Sequence, residues 1–140
     1  MNHQLRINTF IITLIFILSG CSFSGGGAHA AQELGPPLLR LTSAVDGVCE
    51  RPDVYGFPLG GSGEELIRLA VGDDPSLLIP FKGLIYKAKC ENNHAIVLVC
   101  DSEGKKTLME DAGCTIEIDY RAEEPGRACE FSVQVDTVCK

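Results

Sequence analysis

Six cysteines spread between residues 49 and 139 limit what this chain can fold into more than any other feature: Cys49, Cys90, Cys100, Cys114, Cys129 and Cys139. No two lie closer than ten positions, so there is no C-x-x-C pair, and His94 is the only histidine after residue 29. Zinc sites are usually built from short-spaced ligand pairs held in one tight turn, so no metal site and no cofactor motif is expected. An even number of widely spaced cysteines in a small chain reads instead as three disulfides formed in an oxidising compartment. A domain of this size holds only a marginal core, and each bridge closing a loop of tens of residues adds ~3–4 kcal/mol by the chain-entropy estimate.

The amino terminus agrees with that compartment. Ile7 to Leu18 follows Arg6, carries no charge and is interrupted only by Asn8, Thr9 and Thr13. Such a run fits the apolar region of a signal segment and falls short of the ~20 residues that span a bilayer. Residues 1–21 therefore read as signal, 22–37 as a flexible tether rich in Gly, Ser and Ala, and 38–140 as a single disulfide-rich domain. Leu18-Ser19-Gly20-Cys21, directly after the run, resembles the lipobox of bacterial lipoproteins. The resemblance covers the signal and tether alone. It implies a diacylglycerol on the Cys21 thiol, Cys21 as the mature N-terminus, and delivery to the outer membrane, since Ser22 rather than Asp follows. A second route runs through Ala28-His29-Ala30, an A-x-A pattern that releases a free protein starting at Ala31, although it lies well beyond the apolar run. In size and cysteine count, though in no motif, the domain is similar to the small secreted effectors of fungal pathogens.

The domain reads as mainly β with one short helix, a small α+β fold around an antiparallel sheet or meander. Leu38 to Val48 looks strand-like, and Arg51 to Gly63 is loop. Ser62-Gly63-Glu64-Glu65 fits a capping box that opens a two-turn helix with Leu66, Ile67, Leu69 and Ala70 on one face, stopped at Gly72. Leu84 to Cys90 and Ala95 to Cys100 flank the polar turn Glu91-Asn92-Asn93, and Ile96-Val97-Leu98-Val99 has the continuous apolar character of a strand covered on both faces. Lys105 to Met109 forms another short segment. Thr115 to Tyr120 alternates with Ile116, Ile118 and Tyr120 inward. After a turn at Glu123 to Gly126, Cys129, Phe131, Val133 and Val135 alternate with polar residues. In this layout Cys129–Cys139, Cys90–Cys100 and Cys114–Cys129 join opposite ends of extended segments or hairpins. Excluding those three bonds leaves eight of the fifteen pairings that six cysteines allow.

Little in the chain speaks for catalysis. His94 sits at an expected turn and faces solvent, and nothing resembles a nucleophile elbow. The carboxylate pairs Glu64-Glu65, Asp73-Asp74, Glu110-Asp111 and Glu123-Glu124 fall at expected turns or helix ends, where acidic residues serve solubility and capping. Gly60-Gly61-Ser62-Gly63 lacks the Lys-Ser/Thr of a phosphate loop. The formal net charge is −7 and all 19 acidic residues follow the apolar run, which disfavours nucleic acid and anionic lipid as direct partners. What remains is an exported, non-enzymatic binding protein, lipid-anchored at the cell envelope and contacting a partner protein. The loop Tyr55-Gly56-Phe57-Pro58-Leu59 offers Tyr55 and Phe57 as contact residues, or packs down as a lid. The alternatives are a freely secreted effector, toxin or inhibitor, and an exported hydrolase with a small acidic site.

Overall fold

The computed structural model describes residues 26–72, 74–122 and 126–140. The signal segment, the lipobox with Cys21, and the turn residues Glu123 and Glu124 lie outside the described residues.

Helix α1 spans Gly26–Glu50. Leu34, Leu38, Leu41, Val45 and Val48 recur at helical spacing and are all buried, with Leu38, Leu41 and Val45 fully so. The segment expected as a strand over Leu38 to Val48 is thus helical, and the helix extends back into the stretch read as tether. Pro36 and Pro37 lie inside it. Each removes an N–H donor, so burial of Leu34 and Leu38 on either side, rather than intrinsic propensity, supports the helix there.

Helix α2, Pro52–Tyr55, begins with Pro at its first position and ends at Gly56, whose φ of 65° is left-handed. Helix α3, Glu64–Val71, occupies the expected two turns and buries Leu66 and Ile67. Its N-cap, however, is Gly63, and no side chain caps it. Ser62 instead bridges to Lys89 at the sheet margin, and Glu65 pairs with Arg68, so the capping box does not form. A 3₁₀ helix over Pro75–Phe81 follows, opened by Asp74, whose carboxylate accepts from the Ser76 N–H, and it plants Phe81 in the core.

Four antiparallel strands then form a meander in the order β1-β2-β3-β4: β1 Ile85–Glu91, β2 His94–Cys100, β3 Thr107–Ala112 and β4 Tyr120–Arg121. Asn92 and Asn93 join β1 to β2 with φ of 50° and 66°, the two left-handed residues of a type I′ turn. Every residue of β2 from Ala95 to Cys100 is buried, as its apolar run predicts. On one face of the sheet Val97 and Val99 pack with Met109 beneath α1 and α3. On the other, Ile96, Leu98, Cys100 and Ala112 are covered by the C-terminal segment, with Phe131, Val133 and Val135.

That segment is the main departure from the expected sheet. Thr115 to Ile118 is loop, and Ile116, expected inward, is 91% exposed. Residues 129–134 keep alternating burial but join no ladder, and Val135–Val138 forms the short helix α4. The extended stretch is a strap laid across the sheet. The Cys129 N–H donates to the Lys105 carbonyl, but further along carboxylates take over: Glu110 accepts from Ser132 N–H at 2.9 Å and Val133 N–H at 3.0 Å, and Glu91 accepts from Val135 N–H at 3.0 Å.

The bridges are Cys49–Cys90, Cys100–Cys129 and Cys114–Cys139, with Cα separations of 5.5, 5.7 and 5.5 Å. The first ties the end of α1 to β1, and the other two fix both ends of the strap. This set is one of the eight left open by spacing. Three such bridges belong to an oxidising location outside the cytoplasm. Among the described residues no helix is long and apolar enough to cross a membrane.

Candidate functional site

Strand β3 carries Glu110-Asp111, a pair expected at a turn but buried in the sheet, with relative exposures of 0% and 1%. The two point to opposite faces, as neighbours in a strand must. Glu110 faces the strap. Besides the two backbone N–H groups it accepts from the Ser132 hydroxyl at 3.0 Å and forms an ion pair with Arg127. The Arg127 guanidinium also stacks 3.4 Å from the centre of the Tyr120 ring. A buried carboxylate with four donors is well satisfied.

Asp111 is the opposite case. It lies under α1, and one of its oxygens, Oδ1, is buried without a hydrogen-bond partner. Burial, assisted by the charges of Asp119 and Asp46, pushes its carboxyl up to about 7, against a smaller lowering by the Thr42 hydroxyl. Thr42 donates its single hydroxyl hydrogen to the Leu38 carbonyl at 2.9 Å. The Asp119 backbone N–H also bonds to the carboxyl and lowers it, but burial outweighs both hydrogen bonds.

One turn further along α1, Asp46 is also buried and reaches the start of β2. Its Oδ1 accepts from the Ala95 N–H at 2.7 Å and lies 3.3 Å from His94 Nδ1. Space for Asp46 depends on Gly113, where a Cβ would come within 2.3 Å of the Asp46 carboxyl carbon. Glu50, exposed on the next turn of α1, completes a group with Asp46 and His94. His94 is thus not a free turn residue: it opens β2, half-buried against Asp46. Nearby, Asp119 accepts from the Ala112 N–H at 2.8 Å and from Thr115 at 3.0 Å. Chemically this cluster can hold a proton at its buried end and a cation at its exposed end.

A second feature is a groove of about 450 Å³ between α3, the 3₁₀ helix and the edge of β1. Ile67, Val71, Leu78, Leu84, Ile85 and Tyr86 line it, with Glu64 and Arg68 at its mouth. Strand β1 is an edge strand. Its far half is covered, since Gly63 N–H donates to the Ala88 carbonyl and Cys90 N–H to the Gly61 carbonyl. By the same alternation the N–H and C=O of Tyr86 point away from β2, beside the groove and bonded to nothing among the described residues.

The loop named from sequence divides. Phe57 is 8% exposed and packed into the core, with Gly61 so close that a Cβ there would meet its ring at 2.2 Å. Its ring is the lid of the loop, while Tyr55, at 38%, stays available together with Val54 and Leu59. Of the remaining carboxylates, Glu64 and Glu65 sit exposed in the first turn of α3. Alternation alone hints at the buried β3 pair, because Met109 and Asp111 share a face in a strand the apolar pattern truncates at Met109. Comparison with protein-family models, curated proteins and solved structures finds no match to this chain.

Proposed function

We propose that this is an exported, non-enzymatic binding module, held at the cell envelope through a lipid on Cys21, that engages a partner protein at the groove beside β1. The observation that carries this reading is the open hydrogen-bonding edge at Tyr86 lying directly against an apolar groove. An extended segment of a partner adds there as a further strand, its backbone bonding to Tyr86 and an apolar side chain entering between Ile67, Val71 and Leu84. An unprotected edge is an aggregation hazard in a soluble domain, and a partner strand removes it. The disulfides and the buried anchor at Phe57 keep the surface pre-organised, which reduces the ordering entropy lost on association.

The test is site-specific photo-crosslinking in the native host, with the probe at Ile85 and, as control, at the exposed Glu130 on the strap. The expected result is one discrete protein adduct from position 85, mapped to an extended apolar segment of the partner, and none from position 130. No adduct at 85, or the same adducts from both positions, removes this reading of the groove.

A further inference from the structure

Three side chains from distant parts of the sequence meet at the C-terminal end of α1. Asp46, Glu50 and His94 each present a potential ligand atom within 4.8 Å of the other two. The two carboxylates are one helical turn apart and so share a face. The imidazole is delivered by the type I′ turn that opens β2. His94 Nδ1 and Asp46 Oδ1 stand 3.3 Å apart. Two ligands bound tetrahedrally to an ion at ~2.1 Å are themselves ~3.4 Å apart, so this pair is already at coordination spacing.

The surroundings call for positive charge. The end of a helix concentrates partial negative charge, and the last turn of α1 holds Glu50 and no basic residue. Among the described residues the only ion partner of Asp46 is His94 itself. Asp46 in turn neighbours Asp111, 1% exposed, with an oxygen that has no partner. It is on the sheet face that α1 covers, reaching Thr42, and Asp46 is the next residue on that side of the helix. A buried carboxyl oxygen without a partner, close to Asp46, is costly unless the group holds a proton or a cation stands nearby.

We propose that Asp46, Glu50 and His94 bind a first-row divalent cation, Zn²⁺ in preference to the harder Mg²⁺ or Ca²⁺ because one ligand is an imidazole. Water completes the coordination on the exposed side. The Ala95 N–H holds Asp46 in place and so orients one ligand in advance. Bound there, the ion clamps the end of α1 to the β1–β2 hairpin, next to the Cys49–Cys90 bridge. The site is separate from the groove and does not rest on the partner reading.

Zn²⁺ binding to the full disulfide-intact protein, measured by calorimetry after chelator treatment, tests this. One ion per chain is expected, together with a rise in Tm on adding ZnCl₂. Glu50→Gln alters an exposed side chain and His94→Ala a half-exposed one, so both variants should keep the wild-type circular dichroism. Each should weaken binding at least tenfold and abolish the Tm rise. No binding up to millimolar Zn²⁺, or binding of the same strength in both variants, overturns the proposal.

Discussion

In β3, two neighbouring carboxylates meet opposite surroundings because a strand sends neighbours to opposite faces. Glu110 is surrounded by hydrogen-bond donors, whereas Asp111 is buried beside two other acids, and the Thr42 hydroxyl and Asp119 N–H offset that only in part. The consequence is a specific pH dependence. With its carboxyl at about 7 in the folded protein against an ordinary 3.8, Asp111 retains a proton that the unfolded chain gives up. Its contribution is fully favourable below pH 4, is lost as pH rises towards 7, and stays lost above. Asp111→Asn removes this loss. Relative to wild type, the variant is expected to gain ~2 kcal/mol or more in stability between pH 4 and pH 8, read from urea unfolding at both values. Parallel pH curves for the two proteins would show that Asp111 is ionised without penalty.

At the scale of elements, the two hairpin strands and the helix α3 were legible because their patterns are local. Asn92-Asn93 marks a type I′ turn, and the unbroken apolar run of β2 needs cover on both faces, which α1 and the strap supply. Helix α1 was hidden by composition: its Thr and Val and the Pro36-Pro37 pair argue against a helix, while the spacing of Leu34, Leu38, Leu41, Val45 and Val48 decides for one. The strap was half legible. Its alternation correctly marks Val133 and Val135 as inward, but no residue pattern reveals that a buried glutamate, not a neighbouring strand, receives the N–H groups of Ser132 and Val133. For the same reason the carboxylate cluster was invisible, since its members come from α1, β2 and β3 and meet only in the folded chain. The strap's dependence on its bridges can be measured. Replacing Cys100 and Cys129 together by Ser opens a 29-residue separation, and is expected to cost ~2–4 kcal/mol. Hydrogen exchange at Ser132 and Val133 should accelerate along with that loss. Unchanged stability and exchange would mean that Glu110 and the Cys114–Cys139 bridge hold the strap alone.

For the whole molecule, the architecture is a four-stranded meander between a helical layer and a strap, with one disulfide on the helical side and two on the other. Covalent links thus take over where the strap makes no ladder and where the core is small, which ties the fold to an oxidising compartment. The surface that remains carries an open edge, a groove and an exposed apolar loop, the features on which the proposed binding role rests. Mass mapping of the unreduced mature protein from its native host tests whether the domain is exported and fully cross-linked. The expected result is an acylated N-terminus at Cys21 and cross-linked peptides joining Cys49 to Cys90, Cys100 to Cys129 and Cys114 to Cys139. A chain that retains Met1 with six free thiols would contradict it.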